Sequence, residues 1–187
     1  MHLLEYPALA LVEIGSIARA HLVGDAMVKR AAVRVVKAGP VTPGKYLILI
    51  EGDEASVEES WLAGRETAGE QLLDCLYLPG VHTDIAAAVR GERREWQGNS
   101  LVVVETATVA KTLLAADAAC KAAAVRLLDL RLAMGIGGKG VFRLEGELPD
   151  AEAAADAARE KAGSKLQGLE LIAQPDPLFA GGLWLEI

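Results

Sequence analysis

Apolar residues along the chain gather into short runs that alternate with stretches of helical period. Ala8 to Val12 is an apolar run closed by Glu13 and Gly15-Ser16, which predicts a strand and a turn. Ser16 can cap a helix over Ile17 to Ala31, with Ala18, Leu22, Ala26 and Ala32 or nearby positions facing inward. Val33 to Ala38 reads as a strand, broken by Gly39-Pro40 and Pro43-Gly44. Tyr46 to Ile50 reads as the next strand, antiparallel because the connection is too short for a crossover. A helix from 55 to 70 follows, with Val57, Trp61 and Ala68 spaced for burial. Leu72 to Leu78 predicts a further strand, and 83 to 89 a short helix.

The same order then returns. Val12-Glu13 recurs as Val104-Glu105, Asp25-Ala26 as Asp117-Ala118, Lys29 as Lys121, and Val33-Arg34 as Val125-Arg126. Further on, Gly44-Lys45 recurs as Gly138-Lys139, Glu51-Gly52 as Glu145-Gly146, and Arg65-Glu66 as Arg159-Glu160. The offset is 92 before the loop at Gly39 to Gly44 and 94 after it, so two residues are inserted there. Strands are expected at 101–105, 125–132, 141–145 and 166–172, and helices at 107–123 and 150–162. The chain is thus a duplication, with copies taken as 1–94 and 95–187. Strand, helix, strand, strand, helix, strand is the split βαβ, ferredoxin-like order, an α+β fold with a four-stranded antiparallel sheet in each copy. The apolar tail from Pro175, with Leu178-Phe179 and Leu183-Trp184-Leu185, is expected to pack on its own chain or a neighbour.

Composition narrows the function. Hydrophobic residues make up 52% of the chain, mostly Ala, Leu and Val, which suits close-packed helices and subunit contacts. A net charge of −7 argues against a nucleic-acid surface. The basic run Arg90 to Arg94 is interleaved with acid and reads as a solvated linker. No apolar run is long enough for a membrane span, and no signal-peptide pattern opens the chain. Cys75 and Cys120 stand at non-equivalent positions, without metal-ligand spacing, and read as small buried apolar residues in a reducing cytoplasm. His2, His21 and His82 have no Ser or Cys partner at suggestive spacing, so no catalytic residue is assigned and no metal site. Gly135 to Gly140 resembles a phosphate loop, but neither Ser nor Thr follows Lys139 and a strand comes next, where a phosphate cradle needs a helix N-terminus.

What remains are the two loops between the second and third strands, Gly39 to Gly44 and Gly135 to Gly138. Their small and rigid residues suit tight hairpins, or several loops meeting at a symmetry axis where only small side chains fit.

With Asp25 to Ala32, Pro43 to Asp53, Ala116 to Ala123 and Gly135 to Gly140, the chain resembles bacterial microcompartment shell proteins, over nearly its whole length and in tandem. The strand that feeds the Lys-bearing helix comes first in each copy, the unpermuted order. The resemblance implies a homotrimer whose six domains imitate a hexamer. Such a tile joins neighbouring hexameric and pentameric tiles edge to edge around encapsulated enzymes, and small metabolites cross its central pore. It places Lys29 and Lys121 at the tile edge. It places Thr42, Pro43 and Gly44 in the pore loop of the first copy, and Ile136, Gly137 and Gly138 in that of the second. Lys45 and Lys139, just past the loops, would favour anions if they face the mouth. Some tandem members hold an iron–sulfur cluster on a Cys in the first pore loop. Here that position is Thr42, a poor iron ligand, so no cofactor is expected. The Pro-Arg-Pro run usual after the last strand is also missing.

The expectation is therefore a structural shell component of a cytoplasmic microcompartment, not an enzyme, with no nucleic-acid or membrane partner. Two rivals make different predictions. A duplicated ferredoxin-like small-molecule regulator would bind a ligand saturably and form no sheets, and a pore-located redox carrier would be coloured.

Overall fold

A computed structural model describes residues 8–181 of the chain. They form two compact units that divide at Ala86/Ala87. The first holds β1 (Ala8–Ile14), α1 (Ile17–Arg30), β2 (Arg34–Val41), β3 (Lys45–Gly52), α2 (Glu54–Ala68) and β4 (Leu72–Leu78), and α3 (Thr83–Val89) spans the division. The second holds β5 (Ser100–Thr106), α4 (Val109–Ala122), β6 (Arg126–Leu132), β7 (Gly140–Gly146), α5 (Leu148–Ala162), β8 (Leu166–Ile172) and the short α6 (Pro177–Ala180).

Each unit has one antiparallel four-stranded sheet, ordered β2-β3-β1-β4 in the first and β6-β7-β5-β8 in the second. The duplication extends to irregularities of register. The central strands shift at Glu13/Ile14 and Glu105/Thr106, and the edge strands between Val35 and Lys37 and between Leu127 and Asp129.

The helix caps follow from local chemistry. Ser16 and Thr108 each accept from the amide three residues on, Arg19 at 3.2 Å and Lys111 at 3.3 Å, which satisfies a donor that helix geometry orphans. Asp53 does the same for Ser56 at 3.0 Å, and these hydrogen bonds hold its carboxyl below the usual range. At the other end, the amides of Gly69 and Gly163 turn back onto the carbonyls of Arg65 and Arg159.

In the first unit the alternate residues Ala8, Ala10, Val12 and Ile14 of β1 meet Ile48 and Ile50 of β3, Ala20, Val23 and Met27 of α1, and Val57 and Ala68 of α2. Trp61 packs partly buried against this core. The buried stripe of α1 is thus Ala20, Val23 and Met27, not Ala18, Leu22 and Ala26, and Ala32 is exposed beyond the helix. Both stripes are apolar at helical spacing, so periodicity alone does not separate them. The close approach of α2 decides: a Cβ on Gly64 would lie 2.7 Å from Met27 Sδ, so the missing side chain makes room for that methionine.

β2 also runs further than expected, through Gly39-Pro40 to Val41. It is an edge strand, where proline's lost N–H costs the ladder little. In the second unit α5 buries Ala151, Ala154, Ala155, Ala158 and Ala162, a small-residue stripe that lets it lie close to its neighbours.

The other face of the second sheet is covered by the linker and the tail. Trp96 packs with Leu101, Leu128 and Ala180, its Nε1 donating to Asn99 O at 2.9 Å. The Arg94 amide donates to Leu128 O at 2.8 Å and the Gln97 amide to Glu145 Oε2 at 2.7 Å. The tail is thus split between burial and exposure, with Ala180 buried while Leu178 and Phe179 are 88% and 81% exposed. The predicted apolar trio Leu183-Trp184-Leu185 and His2 lie outside the described residues.

Candidate functional site

In each unit the loop between the edge strand and its partner is built from small residues. In the first, Gly44 N donates to Val41 O at 2.8 Å, closing a turn over Thr42 and Pro43, whose peptide is cis. Thr42, Pro43 and Gly44 are all exposed. In the second, Ala133 N donates to Lys139 O at 2.8 Å and Gly138 N to Ala133 O at 3.3 Å, folding Met134 to Gly138 into a longer bend. Ile136 is half-buried, Gly137 exposed and Gly138 buried. Gly44 (φ 114°), Gly137 (φ 65°) and Gly138 (φ 79°) hold backbone that a side chain would strain, so these positions need glycine whatever surrounds them. Met134 stands exposed in the second bend, a large apolar side chain that loop composition alone did not single out.

The lysines flanking the loops are not lone charges. Lys45 pairs with Glu13, and Lys139 with Glu105 at 2.5 Å. The register explains both: Glu13 lies opposite Leu47 and Glu105 opposite Val141, so each lysine is the diagonal cross-strand neighbour of its glutamate. The first pair is buried, with 10% and 0% of the two side chains exposed, while the second is solvent-accessible. Sequence reasoning missed these pairs because residues 32 and 34 apart become neighbours only once the strand register is known.

Lys29 and Lys121 sit in the last turns of α1 and α4, each bonded to the aspartate one turn back, Asp25 and Asp117, at 2.7 Å. That spacing and the helix C-terminus both favour a cation. A further repeated pair, Arg34–Glu51 and Arg126–Glu145, ties each edge strand to its neighbour. The second unit alone has Arg143, whose Nε donates to Asp129 at 2.9 Å and Nη1 to the Ala180 carbonyl at 3.1 Å, holding α6 in place.

Nothing in the described residues assembles a nucleophile with a base. His21 lies against the Tyr46 ring, and His82 Nδ1 accepts from the Asp84 amide. Cys120 is buried; Cys75 is only partly so, and burial pushes its thiol above the usual range, away from a reactive thiolate. An iron–sulfur cluster does not fit the first loop. Thr42 offers a hydroxyl there, and both cysteines lie on regular elements, Cys75 on β4 and Cys120 on α4. Among the described residues no helix is long and apolar enough to cross a membrane.

The fold and loops define a tandem pair of ferredoxin-like domains, each carrying a small-residue bend between an edge strand and its partner. The BMC domain family matches residues 8–81 and again 100–175, and the chain belongs to that family of microcompartment shell proteins, in its tandem-domain form. It is 36% identical over 158 residues to the bacterial microcompartment shell protein PduT of Citrobacter freundii, covering 84% of this chain and 86% of that one. A microcompartment protein from Desulfitobacterium hafniense has a similar structure, with a TM-score of 0.83 at 36% identity, over 91% of this chain and 96% of that one. The double-ringed trimeric shell protein of the RMM microcompartment has a TM-score of 0.64 over 84% of this chain and 83% of that one. At 19% identity, that last likeness is one of fold.

Proposed function

We propose that three copies of this chain close into a pseudohexameric tile of a microcompartment shell, with the loops around a central opening that passes metabolites. The tile is structural and performs no catalysis. Around the opening, Thr42, Pro43 and Gly44 alternate with Ile136, Gly137 and Gly138. Lys29 and Lys121 lie along the tile edge against neighbouring tiles of the same shell, within the cytoplasm.

The observation that carries the trimer is a difference between α1 and α4. Val109, Ala110, Leu113, Asp117 and Cys120 are buried within the single chain. Their equivalents Ile17, Ala18, His21, Asp25 and Val28 are exposed. A helix face with Ile17, Ala18 and Val28 bare in the single chain is an apolar surface of the kind an oligomer interface covers. A second copy covers it. A fold relative described as a trimeric shell protein supports the same arrangement, and the likeness to PduT supports the place in a shell.

Light scattering of the purified chain tests this, with the mass of three chains as the expected result. Val28→Asp should leave a folded monomer, since its charge would stand in solvent until the ring closes. Electron microscopy should show flat sheets or tubes with hexagonal spacing, weakened by Lys29→Ala with Lys121→Ala. A wild-type monomer, or a trimer whose loops lie away from the rotation axis, would end this reading.

A further inference from the structure

The opening proposed above has a charge character that can be read from the loops and what flanks them. Val41 to Gly44 and Ala133 to Gly138 contain no titratable side chain. The nearest cations are Lys45, the first residue of β3, and Lys139, just before β7. Taken alone, six such lysines around a threefold ring would draw anions. Each is instead matched by a glutamate from the central strand, Glu13 or Glu105, at the same diagonal register position in both copies. A repeat that keeps both partners of a pair while changing the loop beside it retains the neutralisation as well as the lysine. Arg131 lies on the same face, across from Val141 but on the opposite side of β7 from Glu105, and it too is engaged within the chain.

We propose that Glu13 and Glu105 withhold the charge of Lys45 and Lys139 from passing solutes, so that the opening admits small uncharged polar molecules in preference to ions. The proposal rests on the pore reading. What the loops then offer a solute is the Thr42 hydroxyl and the backbone of Gly137, both exposed. These are hydrogen-bonding partners without net charge, suited to amides, alcohols or aldehydes of a few carbons. Glu13 and Glu105 act through the lysines, as specificity-setting residues that need not touch the solute.

The two pairs differ in a way that helps the test. Glu13 is fully buried, and removing its charge would strand Lys45, whereas the Glu105–Lys139 pair is open to water and Glu105→Gln leaves the fold intact. The experiment compares entry of radiolabelled acetamide and acetate into closed shells in which this chain is the pore-bearing tile. Wild-type shells should take up acetamide about tenfold faster than acetate. Glu105→Gln should raise acetate entry by about threefold or more with acetamide unchanged, because three positive charges are unmasked around the ring. Glu105→Gln with Lys139→Gln should restore the wild-type ratio.

Thr42→Trp separates this proposal from the reading beneath it, since a bulky plug slows both solutes if the loops line the opening. If the plug slows neither, the pore reading falls. If the plug works but Glu105→Gln leaves the ratio unmoved, or wild-type shells admit acetate as fast as acetamide, the pore stands and the charge-withholding proposal is overturned.

Discussion

α1 and α4 occupy the same place in the two copies, share an aspartate–lysine pair near the C-terminus and are capped by the same device. Yet α1 buries Ala20, Val23 and Met27, whereas α4 buries nine residues distributed around most of its circumference. The sequences adapted accordingly: His21 and Val28 in α1 correspond to Leu113 and Cys120 in α4. Two stretches with one inherited backbone can therefore carry different surfaces, because a single stripe suffices to hold a helix on its sheet and the rest answers to other contacts. The same divergence is found at the loops and at the strand that follows. Tyr46 meets His21 in the first unit, while its counterpart Gly140 leaves room for Thr112, whose hydroxyl meets that of Thr106 at 2.7 Å.

The largest effect should come from a feature the second unit alone has. Arg143→Met leaves Asp129 charged and nearly buried, and should lower unfolding free energy in urea by roughly 3–5 kcal/mol. Replacing both partners with leucine, as Leu49 already stands at the equivalent of Arg143, should recover most of that loss. Retention of the full penalty in the double variant would show that the Ala180 carbonyl, not the stranded carboxylate, is what matters. Next, Leu113→Ala should cost roughly 2–5 kcal/mol, and the matching His21→Ala within about 0.5 kcal/mol. Equal losses would mean that the two helices are less different than their burial implies.

Gly140→Ala should cost roughly 1–3 kcal/mol, because its Cβ would come 2.7 Å from Thr112 Cβ. Adding Thr112→Ala, which restores the alanine of the first copy at Ala20, should relieve most of it. The smallest effect belongs to Lys29→Ala, about 0.3–0.5 kcal/mol on the isolated chain for an exposed i,i+4 pair. A marked effect on sheet formation beside so slight a loss of stability would separate an edge contact from a folding role.

The architecture was legible because duplication supplied two readings of each element. Val33 to Ala38 in one copy and Val125 to Leu132 in the other read as the same strand, so each reading supports the other. The loops were legible because glycine and proline mark tight bends directly. Less so was the facing of α1, whose two apolar stripes differ only in which one meets Gly64. The extent of β2 was hidden because a proline that breaks an interior strand is tolerated at an edge. The Glu13–Lys45 and Glu105–Lys139 pairs depend on register across strands distant in sequence, which composition and spacing do not encode. Arg143 and Asp129 stand on consecutive strands, but their pairing depends on the loop length and on the register shift between Leu127 and Asp129, which the residue pattern does not give.

The two-residue difference between the bends falls where a ring of three chains would present both kinds in alternation. Such a rim has threefold, not sixfold, symmetry, so one substitution alters every second position and leaves the others untouched. On the proposed arrangement, a lineage that inherits both bends in one gene could widen, narrow or recolour half of the opening while its other half continued to serve, a freedom that a ring of six identical chains lacks.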